Sequence, residues 1–249
     1  MGFVTRAFSL PFLAVAFWVL LPHDAQGQVM EDADTDLSCP SGIRDSAHPV
    51  SLSADGTTAI IGAPGVGSDD GGVCIWTSSG GVWTQQGPKL IGAPGPKRLI
   101  SIGDLNLDLN ASSNQGAAVA LSADGNTALV GGKSADDGAV WVWTRSGGVW
   151  TQQGPKLVGQ GVAEEGPAYL GMAVALSADG NTALVGGSGD DNEAGAAWIF
   201  TRTRGVWNQQ GSKLVGTGAF KKSSQGFGGM QGASVALSAD GNTGPDRRV

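Results

Sequence analysis

The chain is poor in the residues that do chemistry. Of its 249 residues, two are His, two are Cys and one is Tyr. Beyond residue 27 a single His remains, His48, beside Pro49. No set of nucleophile, His and acid can be assembled from that inventory. A glycosidase needs only two carboxylates, but no pair stands apart from the repeats described below. No glycine-rich loop has the form that cradles a phosphate, since the glycines fall at turns and strand ends. With no Cys-x-x-Cys, the spacing gives no zinc framework. Charge is also sparse, with 15 basic against 22 acidic residues and a net charge of −7. An acidic surface disfavours nucleic acid and anionic membranes as partners.

The one long apolar run is at the start. Met1 to Arg6 carries one positive charge, Ala7 to Leu21 is almost wholly apolar, and Ala25-Gln26-Gly27 offers small residues to a signal peptidase. The run is shorter than the ~20 residues of a spanning helix. Residues 1–27 therefore read as a secretory signal cleaved before Gln28. The mature chain is expected to be secreted or held at the cell surface, and not to be integral to the membrane. Residues 28–46, acidic from Glu31 to Asp36, read as a flexible lead-in. In an exported chain Cys39 and Cys74 are candidates for a disulfide to the first repeat. Sequence leaves open whether their geometry allows it.

What is abundant is repetition. Val119-Ala-Leu-Ser-Ala-Asp-Gly-Asn-Thr127 leads into Ala-Leu-Val-Gly-Gly132, then a Trp-rich stretch, then Trp150-Thr-Gln-Gln-Gly-Pro-Lys-Leu157. The unit recurs at 50–92, 119–159 and 174–216, and its opening returns at 235–249. The Asp of each Ser-Ala-Asp-Gly phrase stands at 55, 124, 179 and 240, spaced by 69, 55 and 61 residues. Constant units with variable linkers are how loops behave on a repeated scaffold.

Each unit divides into four short strands. Residues around Val119 and Leu121 alternate, Asp124-Gly125 turns the chain, and Thr127 to Val130 returns. A variable loop with an acidic pair follows: Asp69-Asp70, Asp136-Asp137 or Asp190-Asp191. Ala139 to Thr144 puts Trp141 and Trp143 on one face and Val140 and Val142 on the other. Ser146-Gly147-Gly148 turns into Val149–Gln153. The period and the Gly content exclude a helical repeat. The predicted fold is all-β: a β-propeller-like array over 47–249, with four-stranded antiparallel blades, three complete and a fourth partial. After Asn242-Thr243 the expected Ala-Leu-Val-Gly-Gly gives way to Gly-Pro-Asp-Arg-Arg-Val249. We expect a truncated product, or self-association through the open blade edge.

This phrase resembles the bacterial-type FG-GAP repeat, a relative of the propeller repeats of integrin α subunits, over roughly 46–249. Gly62-Ala63-Pro64 matches the GAP element; Gly131-Gly132-Lys133 and Gly186-Gly187-Ser188 are degraded forms. Gln115-Gly116, Leu170-Gly171 and Gln231-Gly232 stand where FG is expected, each without the Phe. Phe227-Gly228 lies four residues early. The resemblance implies an extracellular propeller used for adhesion or recognition. Many relatives bind calcium in a loop between the first two strands; here only the short Ser-Ala-Asp-Gly-Asn turn occupies it, so no ligand carries over.

Four candidate features remain. Asp104, Asn106 and Asp108 have alternate-position spacing suited to calcium, but Leu109 stands where a turn Gly is needed and no acid closes the loop. We take this stretch as a half-buried strand, because extension would spread the carboxylates over ~13 Å. The acidic pairs are either a ligand-binding rim or solvated turns, and we take the turns. Trp76, Trp143 and Trp198, near one strand position, and Trp83, Trp150 and Trp207 on strand four are read as packing between blades. Asn110-Ala111-Ser112 is a glycosylation sequon.

The resulting expectation is a secreted or cell-surface, non-enzymatic binding, adhesion or scaffold protein, with a protein or glycan partner and no cofactor beyond that candidate calcium. The alternative is a fragment of a secreted propeller hydrolase or lyase acting on polysaccharide.

Overall fold

The computed structural model describes residues 39, 48–65, 70–93, 99–102, 105–108, 113–133, 138–164, 166–223 and 226–242, with only the backbone path for 99–102 and 105–108. The signal segment, most of the lead-in, Asp69, Asp104, Asn110, Asp136 and Asp137 lie outside the described residues.

The fold is an all-β, propeller-like array of three four-stranded antiparallel blades. Blade one contains β1 (Val50–Leu52), β2 (Thr58–Ala63), β3 (Gly72–Ser79) and β4 (Val82–Gln85). A two-stranded hairpin, β5 (Leu99–Ile102) and β6 (Leu105–Asp108), lies in the linker. Blade two contains β7 (Gln115–Leu121), β8 (Thr127–Gly132), β9 (Ala139–Ser146) and β10 (Val149–Gln152). Blade three contains β11 (Ala173–Leu176), β12 (Thr182–Gly187), β13 (Ala196–Thr203) and β14 (Val206–Gln209). The partial fourth unit supplies a turn at residues 238–242 but no strand among the described residues.

The outer strand of each blade is longer than its regular stretch. After β4 the chain bulges and returns at Leu90, which exchanges two backbone hydrogen bonds with Val73 (3.0 and 2.8 Å). Leu157 does the same with Val140, and Leu214 with Ala197. The Gly-Pro-Lys or Gly-Ser-Lys of the repeat is this bulge.

Both faces of blade two are apolar because a neighbouring blade packs on each. Ile60, Val73 and Ile75 of blade one meet Val130, Trp141, Trp143 and Trp150 of blade two. Leu129, Val140 and Val142 of blade two meet Val185, Trp198 and Phe200 of blade three. The alternation of β9 thus sends its two Trp toward one neighbour and its two Val toward the other.

The strand register corrects one expected alignment. Trp141 pairs with Val130 and Trp198 with Val185, so these two are equivalent. Trp76, Trp143 and Phe200 form a separate set, opposite Ala59, Ala128 and Ala183. The physical roles differ. Trp141 donates its indole N–H to the Ala93 carbonyl (2.9 Å), and Trp198 to that of Gln160 (3.0 Å). The buried indole N–H of Trp76 and of Trp143 has no partner. That position requires only apolar bulk, and blade three fills it with Phe.

In blade one the position of Trp141 and Trp198 is held by Cys74, which pairs with Ile61. Cys74 is disulfide-bonded to Cys39, with Cα atoms 5.4 Å apart. Cys39, Cys74, Ile61 and Ala63 form a small buried cluster with Trp76 against it. In later blades a Trp at this point reaches the tail of the preceding blade. In blade one a disulfide to the lead-in takes its place.

Glycine sets the spacing between blades. A Cβ on Gly62 would overlap the carbonyl oxygen of Gly116, one on Gly131 that of Gly171, and one on Gly186 that of Gly232. These pairs are the first Gly of the GAP-like element and the Gly of the FG-like element of the next blade. Backbone meets backbone there, and no side chain fits between.

Candidate functional site

Antiparallel alternation sorts the connections onto two ends of the array. One end carries the Ser-Ala-Asp-Gly turns and the Gly-rich turns between strands three and four. The other carries the variable loops after strand two and the linkers between blades.

The turn end is built for cohesion. Ser122 donates its hydroxyl to Asp124 (2.6 Å), and the Asn126 N–H donates to the same oxygen (2.9 Å). Ser53/Asp55, Ser177/Asp179 and Ser238/Asp240 repeat the arrangement. Successive turns are also joined: Ala54 N–H donates to the Ala123 carbonyl, Ala123 to Ala178, and Ala178 to Ala239, at 2.8–2.9 Å. The recurring Asp is therefore consumed by its own turn.

Arg and Trp complete the joint. Arg145 donates to Asn126 in its own blade, and to Gln86 (3.2 Å) and Thr58 (3.3 Å) in blade one. Trp150 donates to the same Gln86 oxygen (2.9 Å). Arg202 and Trp207 repeat this on Asn181, Gln153 and Thr127. Each guanidinium also lies over its blade's outer Trp, at 5.4 and 5.3 Å. The Arg–Trp–Gln–Gln phrase is thus a bond between neighbouring blades, which favours packing over ligand stacking for these Trp.

The turn carboxylates give a pH dependence. Hydrogen bonds from Ser53 and Thr57 hold Asp55 below the ordinary carboxylate range, and those from Ser177 and Asn181 do so for Asp179. Burial pushes Asp124 up, but Ser122 and Asn126 outweigh it and the net shift is downward. A lowered folded-state pKa stabilises above the unfolded value and is lost as pH falls through the folded one. The thermal midpoint should hold from neutral pH to about pH 5 and fall below about pH 4. The double variant Asp124→Asn/Asp179→Asn, which removes the charge and keeps one of the two acceptor oxygens in each turn, should fall less steeply. Parallel curves would show that these turns are not responsible.

The linker end also joins blades, through the glycine pairs and the Gln160–Gln209 bond, and it carries the loops that differ between repeats. Residues Asp190–Glu193 follow strand two of blade three. Asp191, Asn192 and Glu193 all have left-handed φ of 52°, 56° and 64°. Three such non-glycine residues in a row cost on the order of 1 kcal/mol each. Lysines hold them: Lys213 pairs with Asp190, Lys221 with Asp191 (2.7 Å) and Lys222 with Glu193 (2.7 Å). Lys222 N–H also donates to the Asn192 carbonyl.

Asp190 departs from the reading of the acidic pairs as solvated turns, whereas Asp70 is exposed as that reading expects. Asp190 is 1% exposed, and its second oxygen accepts from the Ala163 N–H (2.8 Å) of the preceding linker. Asp190 is a buried anchor, because Lys213 of the outer-strand bulge neutralises it, while Asp191 beside it is partly exposed. In blade one, Asp70 holds the Ser113 hydroxyl (3.2 Å) in the next linker.

Beside this anchor lies a cleft of about 310 Å³ lined by Gln160, Gly161, Gln209, Gly211, Ser212 and Lys213. The Gln160 N–H donates to the Gln209 side chain (2.7 Å), joining the tail of blade two to the outer strand of blade three. The lining offers amide, hydroxyl and backbone groups and the Lys213 ammonium, which is paired with Asp190. Sequence reasoning did not single out Gln160 or Ser212, since both belong to an unremarkable polar tail and bulge.

The other candidates stand as follows. Leu105–Asp108 is extended and paired, with Leu99 opposite Asp108 and Ser101 opposite Asn106. The side chains of Asn106 and Asp108 are not described. Among the described residues no group of three or more His, Cys, Asp or Glu is placed to hold a metal. Among them, too, no helix is long and apolar enough to cross a membrane.

No protein-family model matches the chain, and no curated protein does. Solved structures are similar at low identity. A candidate 6-phosphogluconolactonase of Bacteroides fragilis is 15% identical with a TM-score of 0.41, covering 67% of this chain and 38% of that one. Hydrazine synthase of Kuenenia stuttgartiensis is 14% identical with a TM-score of 0.42, covering 77% and 53%. A fucose lectin of Kordia zhangzhouensis, in complex with methyl-fucoside, is 14% identical with a TM-score of 0.31, covering 66% and 99%. The chain spans about two fifths of the first of these and about half of the second.

Proposed function

We propose that the chain is an FG-GAP-type repeat protein, exported from the cell, acting as a non-enzymatic binding or scaffold module. The observation that carries this is the division of labour between the two ends. Nearly every conserved element of the repeat is spent on joining blades. The residues that vary lie at the linker end, where a strained, lysine-clamped turn adjoins a polar cleft. Strain held in place by its surroundings clusters at ligand-contacting segments. The Gly pairs between blades support the FG-GAP reading, since they give both elements one physical role. The apolar start of the chain supports export.

The cleft suits a ligand rich in hydroxyl or amide groups, a glycan or an exposed peptide loop. Calorimetric titration with neutral oligosaccharides and with loop peptides tests this. We expect saturable binding by one class, abolished by Ser212→Trp, which fills the cleft from an exposed position. Binding unchanged by Ser212→Trp would remove the cleft from the reading; no binding by either class would sink it.

A further inference from the structure

Each Ser-Ala-Asp-Gly turn contains Asp followed by Gly, the pair in which a peptide chain most readily attacks itself. The amide nitrogen of the Gly, having given up its proton, attacks Cγ of the Asp carboxyl. A C–N bond forms, a carboxyl C–O bond breaks and water leaves, giving a five-membered succinimide. Water then adds to a ring carbonyl and breaks its bond to that nitrogen. Opening on the Cα side leaves an isoaspartyl link, in which the main chain runs through Cγ. One water leaves and one returns, so the mass is unchanged and no co-reactant is needed. Gly is the most permissive successor because it has no Cβ to hinder the attack.

The reaction sets three conditions, and the blade joint denies each of them at Asp124-Gly125 and Asp179-Gly180. The nitrogen must be free, but Gly125 donates its N–H to the Ser122 carbonyl and Gly180 to that of Ser177, both at 2.9 Å. The carboxyl must be neutral and able to turn toward that nitrogen. Asp124 is held instead by the Ser122 hydroxyl (2.6 Å) and by the backbone and side-chain N–H groups of Asn126 (2.9 and 3.1 Å). Ser177 (2.5 Å) and Asn181 (2.9 and 3.0 Å) hold Asp179 in the same way. Those bonds keep Asp179 below the ordinary carboxylate range; at Asp124 burial pushes upward, but Ser122 and Asn126 outweigh it. Both groups therefore stay ionised at neutral pH, and a carboxylate is a poor electrophile. Finally, the peptide plane must swing. Gly125 and Gly180 are buried. A Cβ on Gly125 would meet Ser53 and Thr58 at 3.0–3.1 Å, and one on Gly180 would meet Ser122 and Thr127 at 3.0–3.2 Å. These neighbours belong to the preceding blade, so room for the swing appears only when two blades part.

We propose that Asp124-Gly125 and Asp179-Gly180 are latent modification sites, shut against isoaspartate formation by the joint and opened when neighbouring blades separate. The modification also makes the separation permanent. It adds a methylene to the main chain of the turn and moves the carboxylate away from the place where Ser122 and Asn126, or Ser177 and Asn181, bind it. A joint that has isomerised does not close again. The proposal concerns the turn end and is independent of the cleft.

The full chain and a synthetic peptide of residues 120–128 are incubated at neutral pH, below the thermal midpoint, and isoaspartate is counted at each site by chromatography of proteolytic fragments. The peptide should convert at least tenfold faster than either site in the chain. Gln86→Leu loosens the joint between blades one and two without touching a turn, since Gln86 accepts from Arg145 and Trp150. It should speed conversion at Asp124 about tenfold and leave Asp179 unchanged. Gln153→Leu, which removes the acceptor of Arg202 and Trp207, should do the reverse. Ser122→Ala frees the Asp124 carboxylate within its own turn and decides the matter if a Gln variant does not fold; it too should speed Asp124 alone. Rates in chain and peptide that agree overturn the proposal. So does a folded Gln variant that speeds both sites equally or neither, because protection would then come from overall stability and not from the joint.

Discussion

Gly131→Ala is expected to cost about 3 kcal/mol or more and to lower the thermal midpoint by roughly 10 °C. The new Cβ meets the Gly171 carbonyl oxygen, its carbon and its Cα, all backbone of the next blade. A flexible side chain could move aside; the Gly171 backbone, whose N–H donates to the Gly186 carbonyl (3.0 Å), cannot do so without breaking that bond. Gly131 is not among the glycines with positive φ, so the loss would come from contact and not from backbone conformation. Gly226→Ala is the control. It is exposed, has ordinary φ, and its Cβ would meet only the Ser223 hydroxyl at 3.7 Å. It should stay within about 0.5 kcal/mol. Equal midpoints for Gly131→Ala and wild type would mean that the blades can separate without loss. The spacing role given to the FG-like and GAP-like glycines would then be wrong.

Removing the disulfide should cost about 2–4 kcal/mol. Cys39 and Cys74 close a loop with a sequence separation of 35 residues, for which chain entropy alone predicts about 4 kcal/mol. A second loss follows from position. The bond holds Cys39 over Ile61 and Ala63 on a face that in later blades is covered by a preceding blade. With Cys39→Ala/Cys74→Ala the thermal midpoint should fall by roughly 10 °C, and reduction of the wild type should reproduce it. A fall of under about 2 °C would show that the lead-in contributes nothing to covering blade one. Placing Trp at position 74 should not restore stability, because its indole would lack the carbonyl that Ala93 and Gln160 provide in blades two and three.

Much of the fold was legible in the residues because its causes are local. Period-two alternation in Ala139–Thr144 predicted which side chains share a face, and the structure sends them to separate cores. Asp-Gly and Gly-Gly marked the hairpins, since only those turns need positive φ at that point. The strand reading of Leu105–Asp108 rested on the same alternation.

The candidate site was far less legible. Asp190 reads as a surface acid in any window of sequence, and becomes a buried anchor only because Lys213 and Ala163 arrive from 23 and 27 residues away. Strand-three Trp residues looked alike until the register separated those that bond the preceding tail from those that only fill space.

By itself, then, the sequence determined the all-β class, the blade unit, the turns and the two-faced strands. Each follows from backbone conformation and side-chain period within a few residues. Tertiary structure alone decided which residues are mortar and which are left for a ligand. Arg145 finds Gln86 across 59 residues and Arg202 finds Thr127 across 75, through the packing of one sheet on the next. No local rule encodes such a partner, and the linkers that vary its distance along the chain conceal it further.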